Sequence, residues 1–147
     1  MIIPAIYNKI KPHAFGIWLK NEKGTKLFNL ETQKESETFD EIELSAPQIE
    51  NHNRLSAVKK NGKVGMINED YTIVIPMIFD NINRLRQKFI LGTKNQKIAL
   101  LDPRTGRELS RYFEKIRLSD DGYLQAAETI DGKEVIVKLD WSGNVKN

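Results

Sequence analysis

Four tetrapeptides share one pattern of an aromatic residue, an acid or amide, a polar residue and isoleucine. They are Tyr7-Asn8-Lys9-Ile10, Phe39-Asp40-Glu41-Ile42, Phe79-Asp80-Asn81-Ile82 and Phe113-Glu114-Lys115-Ile116. Their starts at 7, 39, 79 and 113 give intervals of 32, 40 and 34 residues across the 147-residue chain. A repeat of this period signals an array of small supersecondary units, none of which can bury its apolar face alone.

Other segments keep step with these tetrapeptides. An apolar segment follows each one: Phe15–Leu19, Leu55–Val58, Phe89–Leu91 and Tyr123–Ala126. A polar turn comes next, at Asn21–Gly24, Asn61-Gly62, Asn95-Gln96 and Asp131-Gly132. A second apolar segment then runs Leu27–Leu30, Val64–Ile67, Ile98–Leu101 and Val135–Val137. A second turn (Glu69–Tyr71, Pro103–Gly106, Trp141–Asn144) leads to a short strand such as Ile73–Ile75, with Pro76 just past it. Short β-branched and aromatic segments bounded by Gly, Asn, Asp and Pro read as antiparallel strands. Asn61-Gly62 is the firmest hairpin signal, because a type I′ turn needs positive φ at both central residues. The expected class is all-β, a single domain over 1–147 with units near 1–34, 35–72, 73–106 and 107–147. The aromatics at 7, 39, 79 and 113 and the isoleucines after them are read as core.

Residues 60–82, KNGKVGMINEDYTIVIPMIFDNI, resemble the bacterial WG repeat. Its units run Gly-Lys-Trp-Gly-Phe-Ile-Asp, a turn, Val-Ile-Pro, then an aromatic, Asp and an aliphatic residue. Gly62, Lys63, Gly65, Ile67, Val74, Ile75, Pro76, Phe79, Asp80 and Ile82 fall on that pattern. The Trp of the motif is Val64 here, Ile98 in the next unit and Leu27 in the first; its Gly becomes Ala99 and Phe28. The chain is thus similar to a diverged WG-repeat protein, and the resemblance implies a β-rich array with little attached chemistry.

Units of this size suit a propeller-like or strongly curved array, with an open β-solenoid as the alternative. Ile2-Ile3-Pro4 matches Val74-Ile75-Pro76, and Val145-Lys146-Asn147 falls where such a strand is due. An N-terminal strand completing the C-terminal sheet would remove two open edges, which favours the curved arrangement.

The chain has no cysteine and only two histidines, His13 and His52. Disulfides, thiolate metal sites and cysteine nucleophiles are excluded. Both histidines are expected to be solvated loop residues. No serine sits in a Gly-x-Ser-x-Gly elbow, and Gly62-Lys63-Val64-Gly65 lacks the ending of a phosphate loop. Asp120-Asp121-Gly122 reads as a turn, since the spaced oxygen ligands of a calcium loop are missing. The expectation is a non-enzymatic chain without cofactor or metal. No apolar run approaches the ~20 residues that span a bilayer. The start MIIPAIYNKI has no signal-peptide character, so a cytoplasmic product is expected.

Binding to another protein is the leading functional reading. One specific version is an immunity-type inhibitor that occludes a bacterial toxin. The second interval is the longest, with its excess near Ala46–Arg54, so Gln48, Glu50, His52 and Arg54 are candidate partner-binding residues on an enlarged loop. Arg84, Arg86 and Lys88 alternate and would share a face if extended. With a net charge of +3, that row makes a nucleic-acid-binding module the alternative.

Overall fold

The computed structural model describes residues 6–50 and 52–146. Among them are fourteen strands and no helix. The strands form four small antiparallel sheets. The first holds β1 (Lys9–His13), β2 (Gly16–Asn21) and β3 (Gly24–Phe28). The second holds β4 (Glu41–Ile42), β5 (Ser56–Lys60), β6 (Lys63–Ile67) and β7 (Ile73–Phe79). The third holds β8 (Asn81–Leu85), β9 (Phe89–Lys94) and β10 (Lys97–Leu101). The fourth holds β11 (Lys115–Leu118), β12 (Leu124–Ile130), β13 (Lys133–Leu139) and β14 (Val145–Lys146). Strands follow one another in chain order in every sheet. The three-stranded sheets gain a fourth segment through the bridges Phe28↔Glu35 and Thr25↔Phe39, and Leu101↔Glu108 and Ile98↔Phe113. The chain divides into two compact parts, Met1–Ile78 and Phe79–Asn147. The strand expected at Ile2-Ile3-Pro4, and its pairing with residues 143–147, lies outside the described residues.

The local chemistry explains why these meanders form. Three hairpins close on two-residue turns with both φ positive: Asn61 and Gly62 (54° and 80°), Asn95 and Gln96 (52° and 66°), and Asp131 and Gly132 (52° and 78°). That is the backbone a type I′ turn requires, and its twist matches the flanking strands. The second turn of each sheet opens on an Asx residue directly after the third strand. Asn29 Oδ1 accepts the Glu31 and Thr32 amides, Asn68 Oδ1 those of Asp70 and Thr72, Asp102 Oδ1 that of Arg104, and Asp140 Oδ1 those of Ser142 and Asn144. Such side chains replace a backbone partner at the point of reversal.

The acid of the recurring tetrapeptide ties these pieces together. The backbone N–H of Asn8, Asp40, Asp80 and Glu114 donates to the carbonyl of Lys20, Lys59, Thr93 and Ala127, at 2.8 to 2.9 Å. The carboxylates of Asp40, Asp80 and Glu114 accept the N–H of Asn61, Asn95 and Thr129, at 2.8, 3.0 and 3.2 Å. Each acid therefore fastens the first strand of its sheet to the hairpin joining the second and third.

Phe39, Phe79 and Phe113 are fully buried, and Ile42, Ile82 and Ile116 are buried behind them. In the first part the core gathers Phe15, Trp18, Leu27, Phe39 and Val58. In the second it gathers Phe89, Leu100, Phe113, Leu124 and Leu139. The first copy departs from the expected core: Tyr7 is half-buried and Ile10 is 54% exposed.

Two further expectations need correction. β7 runs through Pro76 to Phe79; as the outer strand of its sheet it can hold a proline without losing a ladder bond on its free side. Ser36 and Ser110 stand three residues before their aromatics, as Pro76 does. Each hydroxyl accepts the N–H of a third-strand residue, Leu27 or Leu100. The matching bridges Thr25↔Phe39 and Ile98↔Phe113 set the equivalence of the third strands. Thr25 and Lys26, not Leu27 and Phe28, therefore correspond to Ile98 and Ala99. Gly65 allows close approach of β7, since a Cβ there would be forced into the Ile75 carbonyl oxygen and to 2.8 Å from Met77 Cγ.

Because the Phe79 ring is fully enclosed, Phe79→Ala should cost about 3–5 kcal/mol in urea unfolding. A loss below about 1 kcal/mol would place that ring outside the core.

Candidate protein-interaction surface

The enlarged loop does not project as a free recognition loop. Ala46, Ile49 and Leu55 are buried, and Gln48 bridges Arg54. The Arg54 guanidinium donates to the Ala46 carbonyl at 3.0 Å, and the His52 N–H donates to the Ile49 carbonyl at 2.9 Å. The three apolar side chains pin the segment to the core. Gln48, Glu50 and Arg54 remain at the surface, and His52 is half-buried.

The basic segment does not form one extended row. Arg86 and Gln87 have φ of 53° and 57° and reverse the chain between β8 and β9, with the Lys88 N–H returning to the Leu85 carbonyl at 3.1 Å. Arg84 lies half-buried in β8, and Arg86 is exposed at the turn. Lys88 folds away from both, its Nζ 3.6 Å from the centroid of the Trp141 ring. The alternation of Arg84, Arg86 and Lys88 is broken by a turn that carries no Gly, Asn or Pro to announce it.

His13 ends β1 and is half-buried rather than solvated. Its Nδ1 accepts the Phe15 N–H at 3.0 Å, which leaves the proton on Nε2. Nε2 lies 3.1 Å from the Glu43 carbonyl and 3.2 Å from Ser56 Oγ. A protonated Nε2 cannot accept the serine proton, and Ser56 is fully buried. The pair therefore has neither the tautomer nor the access of a nucleophile and its base. Burial pushes the His13 pKa below its usual value, against the opposing pull of the Glu43 carbonyl and carboxylate. At the Asp120-Asp121-Gly122 turn, Asp121 accepts the Tyr123 N–H at 3.1 Å and pairs with Lys138 Nζ at 2.5 Å. Among the described residues no group of three or more His, Asp or Glu side chains could hold a metal ion.

The last sheet carries the most distinctive surface. β12 and β13 pair over seven residues each, from Leu124↔Leu139 to Ile130↔Lys133. Leu124, Ala126 and Leu139 face the core at the base of this hairpin. The same face continues outward to Ile130 and Val135, which are exposed. On the opposite face Ile136 is 54% exposed. Beyond β13, Trp141 is 55% exposed, with Nε1 donating to the Gly122 carbonyl at 2.7 Å and its ring edge-on to Phe89. Trp141, Tyr123, Asp121 and Lys146 line an open cleft of about 460 Å³. From the sequence, the run Val135 to Val137 reads only as the second apolar strand of its unit. Its flanking Lys133-Glu134 and Lys138 are the signal that this strand differs from its counterparts.

No family model, no curated protein and no solved structure matches this chain.

The His13 geometry sets a pH dependence. The unfolded chain takes up a proton near the usual pKa of about 6.5, whereas the folded chain resists protonation until a lower pH. The contribution of His13 is therefore complete above about pH 6.5 and lost as pH falls through that value toward the folded pKa. The urea midpoint should decline from pH 7 to 5.5, and His13→Gln should flatten that decline. Identical slopes in both proteins would contradict the assignment.

Proposed function

We propose that this chain is a non-enzymatic protein-binding module built from diverged β-repeats of the WG type. The observation that carries this reading is the set of exposed apolar side chains on the last sheet, Ile130, Val135, Ile136 and Trp141. Apolar and aromatic groups exposed on both faces and at the end of this hairpin suit a protein partner, because their removal from water drives association without requiring charge. The turn-forming Asx residues and the tetrapeptide acids are engaged with backbone amides, so the scaffold leaves recognition to the remaining surface. An inhibitor that occludes the site of a bacterial toxin is the specific version this scaffold suits, acting by coverage alone. The nucleic-acid alternative loses its main support with the broken basic row, and single-strand platforms need exposed aromatics interleaved with charge.

Affinity capture from the native host, paired with gel shifts at several salt concentrations, tests the reading. The expected result is a stoichiometric protein complex that persists at high salt and is weakened at least about tenfold by Ile136→Asp with Trp141→Ala. Retention of nucleic acid with an affinity that falls steeply with salt would replace it with the alternative.

A further inference from the structure

One strand edge differs from its counterparts. In the first and third sheets, the residue four before the Asx of the second turn exchanges both backbone hydrogen bonds with the buried aromatic. Thr25 does so with Phe39 at 2.7 and 2.8 Å, and Ile98 with Phe113 at 2.7 Å each way. Ile136, four before Asp140, holds that place in the last sheet. It lies opposite Ala127 as Thr25 lies opposite Lys20 and Ile98 opposite Thr93. The N–H and C=O of Ile136 therefore point away from β12, as do those of Glu134 two residues earlier. β14 pairs with β13 only at Lys138 and Leu139. Among the described residues no strand meets Ile136 or Glu134. The exposure reflects this: Thr25 is 1% exposed, against 54% for Ile136.

We propose that the outer edge of β13, from Lys133 to Val137, accepts an extended segment of a partner protein, antiparallel to β13, with an aromatic residue opposite Ile136. This rests on the protein-binding reading and gives it a surface and a mode, strand addition to an open edge. The chain's own outer segments define the chemistry of the occupant. Glu35–Phe39 and Glu108–Phe113 each begin on an acid at the first bridge and end on the aromatic at the second. The aromatic then packs on the side chain it faces, a favoured cross-strand pair when that side chain is β-branched, as Ile136 is. Of the flanking lysines, Lys138 pairs with Asp121 and Lys146 lies near Asp140, so the aromatic opposite Ile136, rather than charge, defines the occupant. The incoming strand would lie end to end with β14 and bury Ile136 as Thr25 is buried.

A fluorescent peptide with the sequence of residues 108–114, ELSRYFE, is a suitable probe in an anisotropy titration with the full chain. Saturable binding is expected, weakened at least about tenfold when the peptide Phe is changed to Ala or its backbone nitrogen is methylated. Ile136→Pro, which removes an outward donor, should weaken binding to the same degree. The N-methyl peptide leaves the protein untouched, so its loss of binding is independent of folding. Several results would overturn the proposal. One is no saturable binding up to about 1 mM; another is binding indifferent to N-methylation. A third is binding seen only after residues 1–5 are removed, which makes the chain's own segment the occupant. A concentration-dependent dimer abolished by Ile136→Pro would make the occupant a second copy. Failure of the peptide alongside a stoichiometric captured partner rejects the edge and leaves the protein-binding reading standing.

Discussion

The hydrogen bond between a tetrapeptide acid and a hairpin amide is the contact on which three of the four sheets depend. Asp40 reaches Asn61, Asp80 reaches Asn95 and Glu114 reaches Thr129. Small isolated sheets are marginal in water, and strand register has a period of two. A one-residue slip would turn Phe39, Phe79 or Phe113 out of the core. The acid next to each aromatic removes that freedom, because its carboxylate and its own N–H are both engaged with the adjoining hairpin. Aromatic burial supplies the stabilisation, and the acid selects the single register in which burial occurs.

Much of this was legible in the sequence. Asn61-Gly62 and Asp131-Gly132 announce their turns, and the tetrapeptide interval gives the number of sheets. Other features carry their signal in residues whose role only the fold makes plain. Asn29, Asn68, Asp102 and Asp140 each follow the third strand directly and build the second turn. Ala46, Ile49 and Leu55 are apolar residues within the enlarged segment, and their burial folds it inward. The turn at Arg86-Gln87 had no local signature, because neither residue favours positive φ; tertiary pairing of β8 with β9 imposes it. Thr25 loses its place in the alignment of third strands because Thr25 and Lys26 are polar, so the apolar run starts two residues later although the turn Glu22-Lys23 has the same length as the others. His13 was misread because its partners, Glu43 and Ser56, are 30 and 43 residues away.

The functional reading follows from what the scaffold leaves unused. Leu27, Met66 and Leu100 lie two residues before the Asx of their sheets and are buried. In the last sheet that place belongs to Lys138, which pairs with Asp121 and lies 4.7 Å from the Tyr123 ring centroid. A polar residue at a core position makes this face compatible with water, while Ile136 beside it remains apolar. The combination of a solvated face and a backbone edge that no described strand pairs is the arrangement from which strand-adding surfaces are made.

Amide hydrogen exchange in the second compact part offers the most direct test of the register device. In Asp80→Ala, the Asn95 amide should exchange at least about tenfold faster than in the natural chain, with the amide of Asp80's successor strand at Ile82 also accelerated. Amides of β12 and β13 should keep their rates. Unchanged exchange at Asn95, or uniform acceleration across every strand, would contradict the account.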